Sequence, residues 1–207
     1  MPPPAPDTDD LLAGVVAGDP HAPELLLARH RDRLRRMIAL RFDPRLASRA
    51  DPSDIVQEVL AAASRRLADY ARRRPVPFYP WLRQFAADRL ADLHRRHLRA
   101  GRRSVLREEW GDLPDGSARV LAARLAGRSP GPSELLQKAE RRERVRAALL
   151  RLPAADRDVL ALRYLEELSA GEVAAVLGVT EGAAKKRVVR ALARLQPLLD
   201  SGAEDFR

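Results

Sequence analysis

Apolar residues recur at intervals of three and four through two long stretches of the chain. Strand-like alternation never lasts more than a few residues, so the pattern predicts an all-α protein. Residues 23–41, PELLLARHRDRLRRMIALR, predict a helix with Leu26, Leu27, Leu34, Met37 and Ile38 turned inward. In DPSDIVQEVLAAASRRLADY, Asp51 is placed to cap a long helix whose first residue is Pro52. On that helix Ile55, Val56, Val59, Leu60, Ala62, Ala63 and Leu67 share one broad arc. Asp54, Gln57, Glu58, Ala61 and Arg65 share the other. A further helix carries the stripe Leu82, Ala86, Leu90 and Leu93.

The most informative pattern lies at 152–196, LPAADRDVLALRYLEELSAGEVAAVLGVTEGAAKKRVVRALARL. Pro153 suits a first helical turn, and Leu160, Tyr164, Leu165 and Leu168 continue an apolar stripe. Ser169 with Glu172 three residues on predicts a capping box, opening a short helix with Val173, Val176 and Leu177 inward. Gly178 closes that helix and Thr180 caps the next. Over 181–195, Ala184, Val188, Ala191, Leu192 and Leu195 fall within an arc of about 100°. Lys186, Arg187, Arg190, Arg194 and the small Ala183 fall opposite. Helix, glycine turn and basic amphipathic helix predict a helix-turn-helix whose second helix enters the major groove of DNA. Its cations can bond phosphates or guanine edges, and Ala183 permits close approach. The competing reading is a solvated basic face on an ordinary helical hairpin.

Charge divides the chain. Of 207 residues, 38 are Lys or Arg against 29 Asp or Glu, for a formal net charge of +9. Residues 1–20 hold four acids and no base, which with their prolines predicts a disordered acidic tail. Residues 21–100 carry a net +9 and residues 136–200 a net +4. Between them, 101–135 is nearly neutral, contains GDLPDG and GRSPGPS, and reads as a linker. Two basic helical domains joined by a linker point to an acidic polymer as partner. The absence of Cys excludes disulfides and thiolate metal sites and fits a cytoplasmic setting. No apolar run reaches the roughly 20 residues of a membrane helix, so membrane insertion is not expected.

Residues 70–85, YARRRPVPFYPWLRQF, hold five of the nine aromatics: Tyr70, Phe78, Tyr79, Trp81 and Phe85. Arg72, Arg73 and Arg74 stand beside them, and Pro75, Pro77 and Pro80 stiffen a loop. Stacking surfaces plus phosphate-binding arginines are what a site for unpaired bases needs. Trp81 and Phe85 serve equally as core, and Phe78 and Tyr79 as loop packing. The following helix ends in a cluster, His94, Arg95, Arg96, His97 and Arg99, that suits a phosphate track and complements the helix dipole. His94 and His97 lack the further ligands a metal would need, so neither metal nor cofactor is expected. The outward Asp54, Gln57 and Glu58 suit a basic protein partner better than DNA.

These blocks, in this order, resemble the extracytoplasmic-function (ECF) sigma factors of the sigma-70 family. LPAADRDVLALRYLEELSAGEVAAVLGVTEGAAKKRVVRALARL resembles their region 4, DPSDIVQEVLAAA their region 2.2, and FYPWLRQFAADRLADLHRRHLR their regions 2.3–2.4. The resemblance implies two small helical domains, region 2 over 21–100 and region 4 over 136–200, in a promoter-specificity subunit of bacterial RNA polymerase. It implies that Asp54, Gln57 and Glu58 dock on the clamp helices of the largest subunit and that region 4 meets the flap. The loop 71–80, with Arg72, Arg73, Arg74, Phe78 and Tyr79, would take an unpaired base of the −10 element together with Trp81. His94, Arg95, Arg96 and Arg99 would run along that element. Thr180, Ala183, Lys185, Lys186, Arg187 and Arg190 would face the −35 element, and an anti-sigma factor is a further implied partner. Where many members read Gly-Thr-Val-Lys-Ser-Arg, this chain reads Gly182-Ala183-Ala184-Lys185-Lys186-Arg187, which implies a different −35 preference. In the linker, Glu108, Glu109, Asp112 and Asp115 around Trp110 are placed either to mimic nucleic-acid phosphates or to belong to a plain tether.

The mechanism implied is recruitment plus strand opening without covalent chemistry. No Walker loop, HExxH or GxSxG is present, so the chain is not read as an enzyme. The alternative is a helix-turn-helix repressor or activator in which 21–100 serves dimerisation and duplex DNA is bound without polymerase.

Overall fold

The computed structural model describes residues 6–47, 49–97, 115–125 and 135–201. Every regular element among them is helical, as the periodicity requires. The chain forms two compact units, Met1–Trp110 and Gly111–Arg207.

The first unit packs four helices: α1 (Thr8–Ala17), α2 (Ala22–Arg41), α3 (Pro52–Arg73) and α4 (Phe78–His97). Part of the expected disordered tail is thus a helix. Asp7 caps α1 by accepting from the Asp9 and Asp10 amides at 2.8 and 2.9 Å, and Asp10 returns a bond to the Asp7 amide. Leu11 and Leu12 then have a core to enter and are buried. The expectation of disorder over 1–20 is therefore corrected for Thr8–Ala17: two leucines on one face outweigh the acidic composition.

Asp51 caps α3 as expected, its Oδ1 accepting from the Ser53 amide at 2.6 Å ahead of Pro52. The helix ends at Arg74, whose φ of +40° is left-handed. A short turn follows, pinned by the Tyr70 hydroxyl donating to the Val76 carbonyl at 2.8 Å. α4 starts at Phe78 with Pro80 in its first turn, where a missing amide costs nothing. Leu26, Leu34, Ile38, Ala63, Leu82 and Ala86 form the fully buried centre, with the Arg83 side chain also buried. Asp43, beside the core, receives Arg45 Nη2 at 2.6 Å; that hydrogen bond holds its carboxyl below the usual range.

The second unit comprises α5 (Asp115–Leu125), α6 (Leu135–Arg151), α7 (Ala154–Leu160), α8 (Ala170–Leu177) and α9 (Glu181–Ser201). The segment read as linker therefore contains a helix, α5, which packs on α6 and buries Leu121 and Ala122. Arg124 fastens it, donating to the Tyr164 carbonyl at 2.9 Å and to Glu167 Oε1 at 2.5 Å. α7 runs on into a π-helical turn, Ala161–Leu165, with the Glu166 amide donating to the Ala161 carbonyl at 3.0 Å. This wider turn shifts the expected stripe: Leu160, Ala161, Leu162, Leu165 and Leu168 are buried and Tyr164 lies half out. No helix is long and apolar enough to cross a membrane among the described residues.

Candidate nucleic-acid interface

The caps and the turn of the α8–α9 segment follow the sequence pattern; of the residues expected inward on α8, Val173 is buried together with Ala174, while Val176 and Leu177 are half-buried. Ser169 Oγ accepts from the Glu172 amide at 3.2 Å, and Glu172 Oε2 accepts from the Ser169 amide at 2.8 Å. Gly178 closes α8 at φ +63°, a conformation open to glycine without strain. Thr180 Oγ1 accepts from the Ala183 amide at 3.3 Å and starts α9. Ala184, Ala191 and Leu195 are buried, Val188 and Leu192 half-buried, and Lys185, Lys186, Arg187 and Arg190 exposed. The two faces are thus segregated as expected, with Ala183 half-buried at the edge.

The cations differ in freedom. Lys185 Nζ pairs with Glu181 Oε1 one turn back at 2.6 Å. Arg190 Nε donates to the Lys186 carbonyl at 3.4 Å. Arg194 is held by Asp156 Oδ2 at 2.6 Å and ties α9 to α7. Lys186 and Arg187 have no such partner among the described residues and offer unpaired charge. At Gly182 an added Cβ would meet nothing within 4 Å, so the protein's own packing does not require glycine there.

In the first unit, Asp54 and Gln57 are exposed on the first two turns of α3. Glu58 is exposed too, but Arg89 of α4 grips it with two nitrogens, Nε on Oε2 and Nη2 on Oε1, the latter at 3.2 Å. Its charge is partly offset within the unit, a feature invisible in the sequence because the partner is 31 residues away. Beside this pair a groove of 590 Å³ runs between α3 and α4, floored by Ala61, Ala62 and Phe85.

The aromatic segment departs from expectation. Phe78 and Tyr79 are 4% and 2% exposed and belong to the core, not to an open loop. Arg33 lies 3.7 Å over the Tyr79 ring, and the Tyr79 hydroxyl donates to the Arg33 carbonyl at 3.3 Å. The prolines read as loop instead precede and enter α4, whose first turn carries both rings inward. Neither ring is placed to stack on a base. Trp81 differs from them: it lies half-buried, stacked on Tyr70 at 4.3 Å with Phe85 edge-on at 5.0 Å. A groove of 290 Å³ opens there, lined by Arg66, Asp69, Tyr70, Arg73, Pro75 and Trp81. Burial raises the Tyr70 hydroxyl to about 12, so it stays protonated.

Arg72 is bound to Asp69 at 2.7 Å and Arg74 to Asp9 of α1 at 3.1 Å, leaving Arg73 as the unpaired member of the triplet among the described residues. The sequence reading missed Arg66 and Asp69, although Arg66, Asp69, Tyr70 and Arg73 stand at i, i+3, i+4 and i+7 on one helix. His94 is half-buried, Arg95 pairs with Asp92, and Arg96 is exposed. Arg99, Glu108, Glu109 and Asp112 lie outside the described residues. No group of three metal-ligating side chains occurs among the described ones.

A capped hairpin of helices with a glycine turn and a basic outer face defines a helix-turn-helix DNA-binding protein. The family model for sigma-70, region 4 matches residues 142–195, which include that hairpin. RNA polymerase sigma factor CnrH of Cupriavidus metallidurans is 32% identical over 200 residues, covering 96% of this chain and 97% of that protein. ECF RNA polymerase sigma factor SigD of Mycobacterium tuberculosis is 33% identical over 190 residues, covering 91% and 82%. The solved structure of CnrH in complex with the cytosolic domain of CnrY superposes with a TM-score of 0.53 at 27% identity, covering 94% of this chain and 99% of that one. The chain belongs to the ECF sigma factors of the sigma-70 family.

Proposed function

We propose that the chain directs bacterial RNA polymerase to promoters as its ECF sigma subunit, with region 2 over 21–100, region 4 over 136–200, and α5 as part of the second unit. The observation carrying this reading is the face segregation of α9, which leaves Lys186 and Arg187 unpaired beside Arg190 on a capped recognition helix. Thr180, Ala183, Lys185, Lys186, Arg187 and Arg190 meet the −35 duplex, the cations bonding phosphates and base edges.

Asp54 and Gln57 dock on the clamp helices of core polymerase. Glu58 joins them by exchanging Arg89 for a partner cation. The groove at Trp81 takes an unpaired −10 base: Trp81 stacks on it, Arg66 and Arg73 hold its phosphate, and Asp69 accepts from its edge. This stacking offsets the few kcal/mol, roughly, that unstacking a base costs. Arg72 and Arg74 reach the backbone once released from Asp69 and Asp9, and His94, Arg95, Arg96 and Arg99 continue the phosphate track. Phe78 and Tyr79 support the groove from within the core. Action is by binding alone, and the cytoplasm is the setting. CnrH has been solved with the cytosolic domain of CnrY; by analogy, an anti-sigma protein binds this chain.

Run-off transcription with purified core polymerase over a genomic fragment library tests the reading. The expected result is promoter-dependent product only when this protein is added. Duplex binding without any such product would instead support a repressor or activator.

A further inference from the structure

Val189 is 64% exposed, the most exposed of the large hydrophobic residues the structure describes. It is not part of the apolar stripe of α9: Ala184, Ala191 and Leu195 are buried on the opposite side. On an ideal helix it lies about 60° to one side of Lys186, and Arg190 lies about 40° to the other. A β-branched residue at an exposed helical position gains nothing from packing and loses side-chain freedom. Its neighbours on the same outward strip are Lys185, Lys186, Arg190 and Ala193, all exposed. An apolar group set among cations needs a partner that is polyanionic yet offers an apolar spot.

The major groove of DNA is such a surface. Phosphates line its walls, and the thymine C5-methyl is the apolar feature among its base edges. We infer that Val189 reads the 5-methyl group of one thymine in the −35 element, so that the flanking cations set position while Val189 sets base identity at that step. The inference rests on the assignment of α9 to the −35 duplex. Its position, two turns into a helix that begins at Glu181, leaves it within the part of a recognition helix that reaches base edges. Because Val189 makes no core contact, replacing it leaves the unit folded, and the effect appears in binding alone.

The test uses full-length protein reconstituted with core polymerase and a duplex library randomised across the −35 window. Thymines in the selected sequence are then replaced singly by deoxyuridine, which deletes only the methyl. Wild type should lose about 4-fold in affinity at one thymine position, the worth of one buried methyl. Val189→Ala and Val189→Thr should lose a similar factor on the thymine duplex and show no further loss with uracil. Lys186→Gln should weaken both duplexes equally. Equal uracil sensitivity in wild type and Val189→Ala would overturn the inference, as would a Val189→Ala defect confined to assembly with core polymerase, which would assign the residue to a protein contact. No enrichment of any sequence by wild type would overturn the −35 assignment and this inference together.

Discussion

Truncating Leu12 to Ala separates a docked N-terminal helix from an acidic tail. Leu12 is 2% exposed and Leu11 6%. Removing a buried leucine side chain, with the cavity it leaves, costs about 2–5 kcal/mol. α1 has 10 residues, too few to stay helical alone, so the unit either keeps the cavity or releases the helix. Release also exposes Leu11 and breaks the Asp9–Arg74 pair, the latter worth about 1 kcal/mol at most for so exposed a contact. Both routes place the loss near 2–4 kcal/mol for the first unit. Urea unfolding of the full chain, followed through Trp81 fluorescence in a Trp110→Phe background, measures it. Val16→Ala is the control, because Val16 is 57% exposed on the same helix and should shift stability by less than about 0.5 kcal/mol. If Leu12→Ala and Val16→Ala unfold at the same urea concentration, α1 is not docked in solution.

Asp54→Lys should lower core-polymerase affinity by about tenfold or more, a like charge meeting the partner's cations, with an unchanged urea midpoint; pull-down with core polymerase and urea unfolding read the two. Glu58→Gln should in addition cost the first unit roughly 0.2–1 kcal/mol, because it breaks the bridge to Arg89. Gly178→Ala should destabilise the second unit by about 1–2 kcal/mol. Its added Cβ meets no atom within 4 Å, so the loss seen in thermal unfolding is backbone strain at φ +63°. Burial pushes the Tyr70 phenol up from its usual 10.0 to about 12. The folded state therefore favours the protonated phenol, and its contribution is intact below pH 10 and lost as pH rises through 12. A difference phenolate titration of wild type against Tyr70→Phe should show that late step.

What could be read from the sequence was whatever local chemistry decides. Asp51 before Pro52, Ser169 before Glu172, Gly178 and Thr180 each act on amides within four residues, and each behaves as expected. Helix α5 and the π turn are different in kind. Leu121 and Ala122 sit in a stretch bounded by glycines and prolines, and only α6 gives their burial a purpose. The extra residue of the π turn is accommodated because Arg163 caps the Leu168 carbonyl at 3.1 Å and Glu167 takes φ +57°. Phe78 and Tyr79 were equally compatible with stacking and with packing, since an aromatic next to arginines carries no sign of which way it turns. That was decided by α2, which supplies Arg33 and His30 against the two rings.

The arrangement along α3 bears on how one small domain can hold a protein and a nucleic acid together. Asp54 stands in its first turn and Arg73 in its last, about 28 Å apart along the axis. The helix dipole favours acids at the start and bases at the end, and that accounts for Asp54, Arg72 and Arg73. It does not reach Gln57, Glu58 or Arg66, because the effect fades beyond the terminal turn. Glu58 and Arg66 extend each charge zone inward on the exposed face, and Arg89 holds Glu58 where the acidic zone meets α4. The outer ends of the two zones, Asp54 and Arg73, are separated by much more than the roughly 10 Å over which salt at 0.1 M screens exposed charges, and the inner edges, Glu58 and Arg66, by about 12 Å. A basic protein surface at one end and phosphates at the other can therefore be bound at once without competing. Under the proposed function, a single helix would then set the spacing between polymerase and unpaired strand.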